Sequence, residues 1–324
     1  MKPARLLRAS AALLGLTAAC AALAQPYPFK PIRWVIAYAA GGGSDVLART
    51  IAGQLSKQLE QQLVIDNRPG GATNIAAELV ARAPADGYTV FTADNGTLVF
   101  NPALFKKLPY DPKKDFAPVG LMARFRLVLA ANPDAGFASA KEAIEAVRKS
   151  PGKLSYASAG IGSPHHLAME MLKERAKLDI AHIAYKGAAP AIQDVVGGQV
   201  PLMVVDTASG LAMLRSGKLK PLAAFSKEPL AALPDVPTLI GLGYTDIEAF
   251  AWQGMVVPAA TPQDIVERLG TELRRAIETP AVRARIQEIG LEPIPSDAAA
   301  MTHHWTSESA YWPKLIRDRQ IALD

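Results

Sequence analysis

Short apolar runs alternate with amphipathic segments along most of the chain, and this alternation constrains its fold more than any other feature. The first apolar run, 32–37, precedes a segment in which leucine or isoleucine recurs at every fourth position from Leu47 to Leu59. The run predicts a strand, and the four-residue spacing predicts one face of a helix. Further strands are predicted at 63–65 and 88–92. Strands that alternate with helices in this way predict an α/β fold with largely parallel sheets.

Two longer apolar runs, 116–130 and 249–257, are candidate crossovers between domains. After the first of them, the alternation of strands and helices restarts. We therefore predict two α/β lobes, each built on an open sheet, that are joined by two crossover strands and enclose a ligand cleft. On this prediction the first lobe is discontinuous and comprises residues 25–125 plus 250–324, and the second lobe comprises residues 126–249.

Residues 1–24 have the pattern of a secretory signal peptide, which we expect to be cleaved after Ala24. Three basic residues precede an apolar run at 9–22 that is too short to span a bilayer comfortably. The segment also holds the chain's one cysteine, Cys20, in a poor lipoprotein box, so lipidation is a less favoured alternative. Removal of its three basic residues lowers the formal net charge from +5 to +2. We therefore expect an exported protein with no nucleic-acid partner.

Two glycine-rich loops each follow a predicted strand and precede a predicted helix. The first spans 41–45, and the second spans 158–163 before Pro164, which suits the first turn of a helix. Such loops line ligand sites in open α/β sheets, and backbone N–H groups at helix starts favour anions. The alternative for the first loop is that Ser44 or Asp45 only caps its helix. The candidate ligand-binding residues of the two loops are Gly41, Gly42, Gly43, Ser44, Asp45, Ser158, Gly160, Gly162 and Ser163.

Five further residues at strand ends or helix starts are candidates for ligand binding: Asn95, His166, Tyr185, Gly187 and Asp206. The amide of Asn95 is suited to a ligand, but a simple turn residue is equally expected there. Asp206 either caps the following helix or accepts a hydrogen bond from a ligand, and the sequence favours neither alternative.

Patterns typical of catalysis, nucleotide binding and metal binding are missing from the sequence. Neither glycine loop has the spacing of a nucleotide phosphate loop. Ser158 is not in a hydrolase nucleophile elbow, because Tyr156 stands where that motif needs glycine. The adjacent histidines at 165–166 and 303–304 would point about 100° apart on a helix, which disfavours a shared metal. The sequence therefore predicts binding rather than catalysis, with no cofactor and no metal site.

Several short motifs together make the sequence resemble the receptors of tripartite tricarboxylate transporters, often called the Bug family. They cover nearly the whole chain after residue 24 and include Asn67-Arg68-Pro69-Gly70, Asn101-Pro102-Ala103-Leu104, Tyr185-Lys186-Gly187 and Leu233-Pro234-Asp235-Val236-Pro237-Thr238. The resemblance implies a two-lobed, type II periplasmic-binding-protein-like fold and a location in the periplasm. It also implies a small organic carboxylate or dicarboxylate ligand, which the receptor presents to permease subunits in the membrane. We expect a monomer.

The resemblance further implies that the loops 41–45 and 158–163 contact the carboxylate, with His166 at the matching helix start and Asp206 at a cleft position. We predict that a β-branched residue at Gly42 abolishes ligand binding while leaving the fold intact. Two alternatives stay open at this point. One alternative to a transport receptor is an exported enzyme that acts on a carboxylate. The other is a receptor that serves signalling instead of transport.

Overall fold

The structure is a computed structural model that describes residues 27–318. Its strands are β1 (Ile32–Ile36), β2 (Leu63–Asn67), β3 (Thr89–Asp94), β4 (Phe116–Ala131), β5 (Ser155–Ser158), β6 (Ala181–Ala184), β7 (Leu202–Asp206), β8 (Lys220–Ala224), β9 (Phe250–Pro258) and β10 (Leu291–Pro293). Its α-helices are α1 (Gly43–Leu59), α2 (Asn74–Ala81), α3 (Asn101–Leu104), α4 (Pro112–Asp115), α5 (Ala140–Lys149), α6 (Pro164–Ala176), α7 (Ala188–Val196), α8 (Thr207–Arg215), α9 (Gln263–Glu278), α10 (Pro280–Glu288) and α11 (Ala298–Asp318). Single turns of other helix types lie at Gly71–Thr73, Gly96–Phe100 and Pro133–Ala135.

The long strand β4 connects the two lobes. Its first part, up to Arg126, pairs with β9, and its last part, from Leu127 to Ala131, pairs with β7. The strand order is β2-β1-β3-β9-β4-β7-β5-β6, with β8 and β10 also paired to β4. Within each lobe three strands run parallel, whereas β4 and β9 run antiparallel to their neighbours. The predicted α/β fold with crossover strands is confirmed, and the predicted lobe boundaries stay a prediction.

Burial of apolar side chains holds the strand ends in place. In α1, Leu47, Ile51 and Leu55 are fully buried, as their spacing predicts. Each such side chain stabilises the fold by roughly 1.5–3 kcal/mol. Trp34 of β1 is also fully buried, and its indole N–H donates to Thr92 Oγ1 at 2.7 Å. The carboxyl end of β1 is therefore a rigid support for the glycine loop that follows it.

Two elements differ from the sequence prediction for physical reasons. The strand predicted at 88–92 extends to Asp94 and leads, past Asn95, into a buried π-helix turn at Gly96–Phe100, so the simple turn considered at Asn95 is wrong. The carboxylate of Asp94 makes this turn stable by accepting a hydrogen bond from the Thr97 N–H at 2.8 Å. β10 is not predicted at all, since its three residues are too few to show a strand pattern.

The described chain begins at Tyr27, whose hydroxyl donates to the Gly87 carbonyl at 2.7 Å and so attaches this end to the first lobe. The predicted signal peptide, its cleavage after Ala24 and the cysteine at position 20 lie outside the described residues. None of the helices within residues 27–318 is long and apolar enough to cross a membrane.

Candidate functional site

Two cavities lie between the lobes, beyond the carboxyl ends of the parallel strands. The outer cavity has a volume of about 430 Å³. The segments 37–38 and 70–74 of the first lobe and 159–161 and 184–186 of the second lobe line it, together with Ser163. Loops from both lobes therefore face one shared space, which is the usual place for a ligand in a two-lobed α/β protein.

The inner chamber is much smaller, with a volume of about 20 Å³. It adjoins the outer cavity, because Tyr38 and Ala159 line both spaces. The first glycine loop, at 42–44, forms one wall of the chamber, and the buried carboxylates of Asp94 and Asp206 contribute to the others. The two cavities therefore form one site with a wide outer part and a narrow inner part that two buried carboxylates line.

The first glycine loop starts α1 without a side-chain cap. α1 begins at Gly43, and its N-cap residue, Gly42, has no side chain. The alternative that Ser44 or Asp45 caps α1 is therefore wrong. The chain reverses at Gly41, where φ is +81°, and the Asp45 carboxylate accepts a hydrogen bond from the Gly41 N–H at 3.0 Å. The side chain of Asp45, in the first turn of α1, thus stabilises the conformation of the loop.

The same loop contacts the second lobe directly. The Gly43 N–H donates to Ser209 Oγ at 2.7 Å, and the Ala39 N–H donates to the Lys186 carbonyl at 3.1 Å. A Cβ atom placed on Gly43 would lie 2.5 Å from Asp206 Oδ1. The lobes are therefore in contact across this loop, and their close approach requires glycine at position 43.

The second glycine loop is held by hydrogen bonds among its own residues. Ser163 caps α6, since its Oγ accepts from the His166 N–H at 3.3 Å and donates to the Gly160 carbonyl at 2.7 Å. The Gly162 N–H donates to His166 Nδ1 at 3.2 Å. Gly160 and Ser163 line the outer cavity, whereas Ser158, Gly162 and His166 line neither of the two cavities. The loop therefore presents only part of its length to the site.

The histidine that faces the site is His165, the neighbour of the candidate His166. The ring of His166 is buried and stacks on His182 with 4.2 Å between ring centroids, and His182 stacks on Tyr156 at 4.8 Å. His165 lines the inner chamber, where its Nε2 lies 3.1 Å from Asp206 Oδ2. Adjacent helical side chains point about 100° apart, so the sequence alone does not show which one faces the cleft.

Acidification is expected to destabilise this histidine stack. Burial, with a smaller contribution from Lys173, lowers the pKa of His166 to about 4, and burial followed by the adjacent His166 lowers the pKa of His182 to about 3. In the unfolded chain both residues bind a proton near pH 6.5. Their contribution to stability is therefore complete above that pH and is lost as the pH falls toward 4. Urea denaturation should show a decrease of about 2 kcal/mol per histidine between pH 7 and pH 5.

Two variants separate this effect from the titration of other groups. His182→Gln keeps a hydrogen-bonding side chain but does not titrate, so its stability should fall less steeply with decreasing pH. His303→Gln, on the exposed side of α11, should keep the wild-type slope. Equal slopes in all three proteins would show that the stack does not carry the pH dependence.

Three other candidates occupy different positions around the cleft. Asn95 is fully buried, and its amide donates to the Phe250 carbonyl at 3.1 Å, so it connects β3 to β9 and lines neither cavity. Tyr185 lines the outer cavity, and its hydroxyl donates to Asp194 Oδ2 at 2.6 Å. Gly187 is the N-cap of α7 and, with a φ of +132°, packs against the first lobe. A role for each of them in ligand binding stays a prediction.

Asp206 is the N-cap of α8 and one of the two carboxylates of the chamber. It accepts hydrogen bonds from the Ser209 N–H and the Ser209 hydroxyl, both at 2.8 Å. Burial opposes ionisation, but the hydrogen bonds from His165 and Ser209 outweigh it and lower the pKa of Asp206. The capping alternative is therefore confirmed, and a contact between the charged Asp206 and a ligand stays a prediction.

The sequence does not single out the loop 70–74, although it lines the outer cavity. Ala72 and Thr73 have φ values of +52° and +72°. This left-handed backbone costs a non-glycine residue roughly 1 kcal/mol or more and is found mainly at functional sites. Thr73 Oγ1 lies 2.9 Å from Thr97 Oγ1, which is within hydrogen-bond distance. The available signal is Gly70-Gly71 directly after a predicted strand, the position that the other two glycine loops also occupy.

A larger cavity of about 740 Å³ lies away from these loops, beside β10 and the segment 226–232. Arg126 lines it and pairs with Glu292 at 2.7 Å and with Glu248 at 3.7 Å. This cavity contains none of the predicted ligand-binding residues. Within residues 27–318, no group of three or more His, Cys, Asp or Glu side chains could hold a metal ion.

Comparison with known sequences identifies the protein family. Residues 47–321 match the family described as tripartite tricarboxylate transporter family receptor. The chain belongs to this family. Among such proteins, the UPF0065 protein from the tcbD–tcbE intergenic region of Pseudomonas sp. strain P51 is 34% identical over 296 residues, which cover 91% of this chain and 88% of that protein. Protein BugT of Bordetella pertussis is 30% identical over 318 residues, which cover 96% of this chain and 98% of BugT.

Solved structures of similar receptors have the same fold. The periplasmic binding protein BugD has a TM-score of 0.88 at 33% identity, over 92% of this chain and 100% of BugD. An R. palustris protein with adipate has a TM-score of 0.88 at 32% identity, over 92% and 100% of the two chains. MatC from Rhodopseudomonas palustris, with bound malate, has a TM-score of 0.86 at 31% identity, over 90% of this chain and 100% of MatC. The type II periplasmic-binding-protein-like fold is confirmed, and this transporter receptor is a substrate-binding protein and not an enzyme.

Proposed function

We propose that this receptor captures a small organic carboxylate or dicarboxylate in the outer cavity and delivers it to the permease subunits of a tripartite tricarboxylate-type transporter. The observation that carries the proposal is the outer cavity itself, which loops 70–74 and 159–161 line from opposite lobes. Relatives with 31% and 32% identity hold malate and adipate. These ligands are small carboxylates of a size that the cavity of about 430 Å³ accommodates.

Backbone N–H groups are the main anion-binding groups in this proposal. α2 follows the loop 70–74, and α6 follows the second glycine loop, so two helix starts approach the cavity from opposite sides. A helix N-terminus carries about half a positive charge and several N–H groups without helical partners. Lys186 is the one charged side chain among the described residues that line the outer cavity. A carboxylate is therefore held by fixed N–H groups with one lysine nearby.

Lobe closure is the second part of the proposed mechanism. The hydrogen bonds from Gly43 to Ser209 and from Ala39 to Lys186 join residues of opposite lobes, so they exist only when the cleft is closed. Closing the cleft excludes water, which strengthens every hydrogen bond to the bound carboxylate. In this proposal the closed receptor with its ligand is the form that the permease recognises.

We infer that the receptor is exported, cleaved after Ala24 and active in the periplasm as a monomer. The signal-peptide pattern of residues 1–24 and the likeness to the periplasmic binding protein BugD support this inference. Mass spectrometry of the exported protein should find a chain that begins at Gln25. An acylated start at Cys20, or a chain that retains residues 1–24, would contradict the proposed processing. Light scattering measures the molar mass of the purified protein in solution and so tests whether it is a monomer.

Thermal unfolding in a panel of carboxylates tests the proposed function. A ligand at about a hundred times its dissociation constant stabilises the folded receptor by about 2.7 kcal/mol, and each kcal/mol raises the Tm of a chain of this size by about 2 °C. We therefore expect at least one carboxylate to raise the Tm by about 5 °C, while its uncharged amide does not. A panel in which no carboxylate changes the Tm would refute carboxylate capture.

A further inference from the structure

The inner chamber presents hydrogen-bond acceptors to a space that adjoins the proposed carboxylate site. Asp94 and Asp206, each 3% exposed, are the two carboxylates in its lining. The Tyr38 hydroxyl donates to Asp94 Oδ2, and Tyr38 lines the chamber together with both carboxylates. Two buried carboxylates repel a third carboxylate at such short range, so they disfavour a carboxylate group of the ligand in this chamber.

Asp94 is the carboxylate that lacks a counter-charge. Its Oδ2 accepts a hydrogen bond from the Tyr38 hydroxyl at 2.5 Å, and its Oδ1 accepts from the Thr97 N–H at 2.8 Å and the Thr97 hydroxyl at 2.7 Å. Within residues 27–318, no lysine, arginine or histidine forms an ion pair with Asp94. A buried charge is costly unless it is paired, so an approaching cation would be favoured here.

Two further buried side chains of the chamber each have an atom without a partner. Gln253 donates through Nε2 to Ser44 Oγ, and its Oε1 has no hydrogen-bond partner among the described residues. His165 Nδ1 also lacks a partner there. Gln253 is 3% exposed and His165 is 7% exposed. The free Gln253 oxygen is an acceptor, so it requires a donor just as the two carboxylates do.

We propose that the inner chamber binds the ammonium group of the ligand, so that this receptor takes an amino carboxylate with Asp94 as the residue that determines the preference. This inference rests on the proposed function, since the carboxylate of the same ligand occupies the outer cavity. An ammonium group offers three donors and a positive charge, which match Asp94, Asp206 and the Gln253 oxygen.

The size and position of the chamber agree with this assignment. A volume of about 20 Å³ holds one group of the size of a water molecule. An ammonium group is of this size, whereas a carboxylate is larger. Tyr38 and Ala159 line both spaces, so a ligand in the outer cavity reaches the chamber past these two residues. The ammonium group would therefore replace a water molecule between the lobes as they close.

Calorimetry with matched pairs of acids tests the proposal. Aspartate and succinate differ in the ammonium group, and so do leucine and isocaproate. A further pair consists of the tightest-binding carboxylate of the panel and the compound that differs from it only in having or lacking the ammonium group. In every pair that binds, we expect the amino acid to bind at least about tenfold more tightly. Equal or tighter binding of the acids without nitrogen would overturn the ammonium site but leave carboxylate capture intact.

The variant Asp94→Asn removes the charge with little change of shape. Its Oδ1 can still accept from Thr97, and its Nδ2–H can donate to the Tyr38 hydroxyl, which reverses that hydrogen bond. We expect it to unfold at close to the wild-type temperature and to reduce the preference for the amino acid to about twofold or less. Asp235→Asn, which removes the same charge from an exposed loop, should keep the wild-type preference. An unchanged preference in Asp94→Asn would overturn the role of Asp94. If no acid binds to the wild-type receptor, both this inference and the proposed function fail.

Discussion

Replacing Gly43 with alanine is expected to weaken ligand binding at least about a hundredfold while both lobes remain folded. The new Cβ atom would lie 2.5 Å from Asp206 Oδ1, 3.0 Å from the Phe125 ring and 3.1 Å from Ala208 Cβ. Asp206 and Ala208 belong to the opposite lobe, so the clash with them disappears when the cleft opens. The contact with the Phe125 ring lies within the first lobe and requires only a small shift of that ring. The variant should therefore stay open, where the ligand meets only one set of loops.

Gly53→Ala is the matched control, since a Cβ at this position in the middle of α1 meets nothing within 4 Å. It should bind like the wild type and gain up to about 1 kcal/mol of stability, because alanine is a better helix former than glycine. Calorimetry measures the affinities, and small-angle X-ray scattering with ligand measures closure. A Gly43→Ala variant that binds and closes normally would show that this contact between the lobes is not part of the liganded state.

From the sequence, a substitution at Gly42 is expected to abolish ligand binding, but the geometry places the larger loss of binding at Gly43. A Cβ on Gly42 would lie 3.4 Å from the Ala39 carbonyl oxygen and 3.9 Å from the Ala188 nitrogen, distances that a side chain tolerates. We therefore expect Gly42→Ala to bind more tightly than Gly43→Ala. The comparison distinguishes a loop that needs glycine for its own shape from one that needs it for contact with the other lobe.

Replacing Asp206 with alanine is expected to destabilise the protein by about 3 kcal/mol. The variant loses the cap of α8, which is worth about 1 kcal/mol, and leaves the His165 and Ser209 donors buried without an acceptor, at about 1 kcal/mol each. The Tm should fall by about 6 °C or more. Differential scanning calorimetry without ligand measures this change, because the expected loss does not depend on binding.

Asp206→Asn and Asp235→Ala complete this experiment. Asparagine still accepts the hydrogen bond from the Ser209 N–H, so Asp206→Asn should lose about 1 kcal/mol less than Asp206→Ala. Asp235→Ala changes an exposed side chain and should stay within about 0.5 kcal/mol of the wild type. A stable Asp206→Ala variant would mean that this carboxylate is retained for the ligand rather than for the fold.

Local patterns were sufficient to predict most of the fold. The spacing of Leu47, Ile51 and Leu55 predicts α1 because the same spacing places these side chains in the core. Pro164 marks the start of α6 because proline lacks the N–H that a first helical position does not use. Such signals depend on neighbours in the sequence, and for that reason they are readable without a structure.

The inner chamber was not predictable, because it arises where distant segments meet. Asp94, His165 and Gln253 come from three separate parts of the chain, and no local pattern indicates that they share one space. The strained backbone at Ala72 and Thr73 is equally hidden, since neither residue is typical of a left-handed conformation. For the same reason, the sequence identified the glycine loops but not the side chains that lie between these loops in the folded protein.

The pairing of β3 with β9 restricts the order in which the chain can fold. Phe91 pairs with Val256, so the first lobe completes its sheet only after the whole second lobe has been synthesised. Contacts between such distant residues are slow to form, because a long loop must be closed first. The second lobe, by contrast, lies between these two strands and has most of its pairings within itself. We therefore expect newly made chains to keep an unfinished first lobe until synthesis is nearly complete, which lengthens the time during which chaperones can bind them.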